Sequence, residues 1–111
     1  MAYMAPEQIQ SEPMDQRTDI YALGITAFEM LAGERPFPET DPQKLIDLHL
    51  NCGIPDPAGV APNIPETLRQ FIIKACRQDP GQRYQTVTQA LDDLNRLVDE
   101  LGITSKRPTD E

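Results

Sequence analysis

Apolar positions along the chain recur at spacings of three and four, and no segment alternates cleanly with period two. Helices are therefore expected, and strands are not. The first long helix is predicted from Gln16 or Thr18 to Ala32. Its apolar residues Ile20, Leu23, Ile25, Ala27, Phe28, Met30 and Leu31 cover more than one stripe, the pattern of a buried central helix. Gly33 follows, where a left-handed residue commonly ends a helix. The stretch RPFPETDP has three prolines in eight residues and cannot be helical.

Asp41 then caps a short helix with Pro42 at its first position, and Leu45, Ile46, Leu48 and Leu50 supply its packing face. NCGIPDPAGVAPNIP is a loop by composition. Pro65 opens the next helix, in which Leu68, Phe71, Ile72, Ala75 and Cys76 recur at helical spacing. QDPGQRY stops it, with Pro80 and Gly81 forming a turn. The last helix starts at TVTQ, with Thr86 as N-cap and Gln89 completing a capping box. Val87, Ala90, Leu91, Leu94, Leu97, Val98 and Leu101 define its apolar face, Gly102 ends it, and residues 102–111 form a polar tail. The expected fold is all-α, with four main helices and no sheet.

Composition narrows the function without changing this picture. A chain of 111 residues is one domain or part of one. Its formal net charge of −8 argues against a nucleic-acid backbone as the main partner. Cys52 and Cys76 stand alone, without paired-cysteine or Cys/His spacing, so no metal site is expected and both read as reduced thiols. No apolar run approaches the roughly 18 residues of a membrane span, and the first residues lack the pattern of a secretory signal. A cytoplasmic location is expected.

Tyr3 to Glu7, YMAPE, resembles the Ala-Pro-Glu motif that closes the activation segment of protein kinases. Asp19 to Phe37, DIYALGITAFEMLAGERPF, resembles the central F helix of that family and the loop after it. Asp79 to Tyr84, DPGQRY, resembles the short turn before the family's last helix, with Arg83 in the arginine position. The resemblance covers residues 2–101, in order. Tyr3 before Met4, together with DIYALG and DPGQRYQT, is similar to bacterial serine/threonine kinases. Residues 1–101 thus resemble part of a kinase C-terminal lobe, from the end of the activation segment through helices F to I.

That resemblance implies the substrate-side scaffold of an enzyme whose complete form transfers phosphate from ATP, with magnesium, to Ser or Thr of proteins. The nucleotide site has no counterpart here. The six glycines are scattered, so no glycine-rich loop is present, and no lysine sits in the strand context of an ATP-pairing lysine. His49 is followed by Leu50 and cannot open a His-Arg-Asp loop, and no Asp-Phe-Gly occurs. Phosphoryl transfer needs a phosphate cradle, metal ions and an aspartate that orients the hydroxyl. No cofactor is expected in this chain, no residue is expected to be catalytic, and the chain alone is expected to be inactive.

The resemblance also implies residue roles. Glu7 and Arg83 correspond to a buried ion pair that pins the substrate-facing loop to the helical base; the alternative is two surface charges. Asp19 corresponds to a carboxylate that accepts hydrogen bonds from the catalytic-loop backbone, or it is a plain first-turn acid. Met4 matches a residue lining the pocket for the substrate side chain after the phosphorylated one, or it is simply packed. Glu29 matches a position that binds a substrate arginine in basic-directed kinases, or it is a solvated helix acid. His49 has no evident acid or nucleophile partner and is expected at the surface. Asp15 and Asp19, four apart, do not amount to a metal pair.

Two functions of different class fit these residues. One is a piece of a serine/threonine kinase, whose partners are the upstream kinase segment and a protein substrate. The other is a noncatalytic helical interaction module that docks through the Asp41–Leu50 helix. Met1 suits a native start and an internal methionine equally. In either case Gln16–Ala32 should be the most enclosed helix, with an apolar patch where the upper lobe would sit and a tendency to self-associate.

Overall fold

The computed structural model describes residues 3–100. Among them are five α-helices and no strand: α1 (Pro6–Ile9), α2 (Gln16–Ala32), α3 (Pro42–Asn51), α4 (Glu66–Ala75) and α5 (Val87–Glu100). Single 3-10 turns lie at Pro57–Gly59 and Pro80–Gln82. The all-α architecture and its four long helices are those the periodicity predicts. Leu101, Gly102 and the polar tail lie outside the described residues.

Local chemistry explains the helix ends. Asp15 caps α2 by accepting a hydrogen bond from the Arg17 amide at 2.9 Å, and Gly33 closes it at φ 76°, its amide donating to the Glu29 carbonyl at 2.9 Å. Asp41 caps α3 through the Gln43 amide at 3.0 Å. At α5 the Gln89 amide donates to the Thr86 hydroxyl at 3.1 Å. The Gln89 side chain, however, accepts from the Gln85 amide at 2.9 Å, one residue before the cap. The reciprocal half of the expected capping box is therefore displaced.

Helix α1 falls where the sequence reads as a loop. Four residues are too few to show a period. The turn is set by Pro6 at its first position and by the Gln8 side chain, which accepts from the Ala5 amide at 2.9 Å.

Helix α2 packs on α4 and α5, while α3 sits against α1. Ile20, Tyr21, Ile25 and Phe28 of α2 are buried with Phe71, Ile72 and Ala75 of α4. Gly24 allows the close crossing: a Cβ there would lie 2.4 Å from Cys76 Sγ and 2.9 Å from Ala75 Cβ. Enclosure is one-sided, since Leu23, Leu31 and above all Met30, 81% exposed, remain open. On α5, Ala90 and Leu97 are buried, but Val87 and Leu91 face out.

His49 corrects the sequence expectation of a surface residue, since it is only 1% exposed. It stands four positions after the buried Leu45, on the same face of α3. Tyr21 Oη and His49 Nδ1 share a 2.9 Å hydrogen bond, and Phe37 meets the imidazole edge-on at 5.0 Å between ring centroids. An aromatic pocket with a polar tip thus accepts a ring that the pattern of neighbouring leucines had left outside.

Candidate functional site: a buried ion pair beneath the amino-terminal loop

Glu7 lies in α1, and Arg83 directly follows the Pro80–Gln82 turn. Pro6 starts the helix that turns Glu7 inward, and Asp79 holds the second turn by accepting from the Gly81 amide at 2.9 Å. The two side chains meet in parallel: Arg83 Nη1 donates to Glu7 Oε2 at 2.7 Å, and Nη2 to Oε1 at 2.9 Å. Both are buried.

Every N–H of the guanidinium has an acceptor. Nε donates to the Arg77 carbonyl at 2.6 Å, Nη1 also to the Arg17 carbonyl at 3.0 Å, and Nη2 also to the Gln78 carbonyl at 3.1 Å. The Tyr21 ring lies 4.8 Å from the guanidinium carbon. On the acid side, the Thr18 hydroxyl donates to Glu7 Oε2 at 2.7 Å. Burial opposes the charged carboxylate, but the hydrogen bonds from Arg83 and Thr18 outweigh it and hold the Glu7 carboxyl below its ordinary value. Burial pushes the Tyr21 hydroxyl up. One side chain thus ties together α1, the first turn of α2, and the connection from α4 to α5.

Gln78 extends the junction to α3. Its side-chain amide donates to the Leu50 carbonyl at 2.8 Å and to the His49 carbonyl at 3.3 Å, satisfying acceptors at the helix's C-terminal end. Thr18, Tyr21 and Gln78 are not singled out by the sequence. Thr18 carries a weak signal, a hydroxyl in the first turn behind the Asp15 cap; Gln78 carries none.

Asp19 lies in the first turn of α2, exposed, and among the described residues its carboxylate accepts no side-chain hydrogen bond. Glu29 is half-buried and accepts from the Tyr3 hydroxyl, 26 positions away. That bond raises the Tyr3 hydroxyl above its ordinary pKa. It also brings Glu29 to the residue next to Met4, itself half-buried. Asp15 is paired with Arg17 across 3.0 Å. Among the described residues no three His, Cys, Asp or Glu side chains converge to hold a metal ion.

The open side of α2 forms one wall of an apolar groove of about 410 Å³, lined by Leu23, Ala27, Met30 and Leu31 of α2, Leu68 and Phe71 of α4, and Leu94 of α5. No described helix is long and apolar enough to cross a membrane. Cys52 is exposed and Cys76 buried, both free, and burial pushes the Cys76 thiol up to about 12.

Known proteins resemble this chain in sequence and fold. The protein kinase domain family matches residues 1–94. A probable serine/threonine-protein kinase of Clostridium perfringens is 36% identical over 98% of this chain, which spans 16% of that protein. The serine/threonine-protein kinase PrkC of Bacillus subtilis is 33% identical over 96% of this chain, again with 16% of its own length covered. Among solved structures, the twitchin kinase region from C. elegans superposes with a TM-score of 0.76 at 26% identity, covering 83% of this chain and 16% of that one. The chain is thus a small part of the length of the relatives it matches, and that part is helical C-terminal lobe. The chain belongs to the protein kinase domain family.

Proposed function

We propose that this chain is the substrate-side helical base of a cytoplasmic, bacterial-type serine/threonine protein kinase, and that its 111 residues alone neither bind ATP nor transfer phosphate. The observation that carries this reading is the Arg83 clamp on Glu7, which fixes the loop bearing Tyr3 and Met4 onto α2. A rigid seat for a substrate segment is what proximity catalysis requires of a scaffold. In that seat Met4 offers apolar contact to the side chain after the phosphorylated residue. Glu29 offers a carboxylate to a basic one once it exchanges its bond with Tyr3. Asp19, with its carboxylate open, anchors the backbone of a catalytic loop.

Magnesium and ATP do not fit the residues present. Among the described residues the acids do not converge in threes, and a chain of net charge −8 repels a triphosphate unless backbone donors and cations are grouped for it. Nucleotide chemistry therefore belongs to other residues of the complete kinase. The groove beside Leu23 and Met30 seats the upstream part of the lobe and, when uncovered, drives self-association.

Calorimetric titration with magnesium-ATP tests the reading. The 111-residue chain should give no saturable heat. A single polypeptide joining it to the upstream half of the Clostridium perfringens kinase domain should bind nucleotide. Micromolar binding by the chain alone would overturn the proposal.

A further inference from the structure

Positive charge is scarce in this chain, and four of the eight Lys and Arg side chains among the described residues are spoken for. Arg17, Arg69, Arg83 and Arg96 each face an acid in an ion pair. Lys74 and Arg77, like Arg35 and Lys44, form no ion pair with any described residue; Lys74 stands in the last turn of α4, and Arg77 follows three positions later, just past the helix's end. Both open onto one concavity of about 450 Å³ on the outer face of that helix. Lys74 Nζ lies 4.6 Å above the Tyr84 ring. Asp93, the acid in the lining, already accepts from the Tyr84 hydroxyl and pairs with Arg96. Arg69, at the other end, is held by Asp56 at 2.8 Å and Glu66 at 2.9 Å. Two exposed cations therefore share a cavity whose other charges are compensated.

We propose that this cavity binds a phosphate monoester carried on a protein segment, with Lys74 and Arg77 as its two cationic contacts. A phosphorylated Ser or Thr carries roughly −1.5 to −2 charge and three acceptor oxygens, which two cations match and a single carboxylate does not. The guanidinium fork suits two of those oxygens, and the ammonium suits the third as a point charge. The volume exceeds that of the phosphate and leaves room for flanking residues. A cation in the last turn of a helix, as Lys74 is, or just past its end, as Arg77 is, also favours its dipole, a purely structural role that the test must separate.

The test is a titration of the 15N-labelled 111-residue chain, following the Lys74, Arg77 and Tyr84 signals. The probes are a capped Ala-Ala-phosphoserine-Ala-Ala peptide, its unphosphorylated and aspartate forms, and inorganic phosphate. The phosphopeptide should saturate those signals, bind at least about tenfold more tightly than the other three probes, and weaken as salt rises. Lys74→Gln and Arg77→Gln should each reduce affinity about tenfold or more, while Arg35→Gln leaves it unchanged. Failure to saturate, or equal binding of the aspartate peptide or of inorganic phosphate, would overturn the proposal. So would unchanged affinity in folded Lys74→Gln and Arg77→Gln variants that only melt lower, which would leave the helix-end role alone.

Discussion

Arg83 holds Glu7 with both arms of its guanidinium, at 2.7 and 2.9 Å, across 76 positions of chain. With its Nε and its remaining donors on three backbone carbonyls, this side chain serves as an internal bracket for loops that have no sheet to join them. Removing one member of a buried pair strands the other charge, which typically costs about 3–5 kcal/mol. Arg83→Ala should lower the melting temperature steeply. Arg96→Ala, on an exposed side chain of α5, should change stability by no more than about 0.5 kcal/mol. Equal melting of the two variants would contradict the bracket.

The Glu7 carboxyl gives that bracket a pH signature. Its folded pKa is depressed, so the stability it contributes is fully present above the unfolded value of about 4.3. That stability is lost as pH falls through the folded pKa. In urea melts, the advantage of the wild type over Glu7→Gln should be constant from neutral pH to about pH 5 and shrink at lower pH. A difference independent of pH down to strong acid would argue against an ionised Glu7.

Gly24 governs how closely α2 approaches α4. Gly24→Ala places a methyl 2.4 Å from Cys76 Sγ and should destabilise by about 1–3 kcal/mol, helix propensity notwithstanding. Cys76→Ala should recover part of that loss, because the nearest clash is with its sulfur, leaving the contact at 2.9 Å with Ala75 Cβ. Strictly additive effects in the double variant would mean that the two positions do not compete for space.

The long helices are legible in the sequence because their signals are local. Gly33, the Asp41 and Pro42 pair, and the three-and-four spacing around Phe71 each act within one or two turns. The site is less legible because its decisive partners are far away in the chain. His49 is drawn inward by Tyr21, 28 positions off, and by Phe37 in a proline-rich loop. Glu7 and Arg83 are named together in the sequence through family resemblance alone, since no periodicity links positions so distant. Three of Arg83's acceptors are backbone carbonyls, which any residue supplies and no residue type announces. The bond between Tyr3 and Glu29 is hidden for the same reason of distance.

Exposed apolar surface should decide how the chain behaves in solution. Met30, 81% exposed, sits at the rim of the groove with Leu23 and Leu31. Met30→Glu should reduce both dye binding and the higher-mass species in sedimentation, without lowering helix content. A wild-type chain that sediments as a clean monomer and binds no dye would show that the groove is not an uncovered interface.

The measurement closest to the central claim is the phosphoamino-acid content of a protein acceptor incubated with γ-labelled ATP. The joined polypeptide, carrying the upstream half of the Clostridium perfringens kinase domain followed by these residues, should label serine and threonine and leave tyrosine unlabelled. The 111-residue chain alone should label nothing. In the joined form, Asp19→Asn should depress transfer while nucleotide affinity holds. A joined polypeptide that folds and binds magnesium-ATP yet leaves serine and threonine unlabelled would contradict the assignment of these helices as the substrate-side base of a serine/threonine kinase.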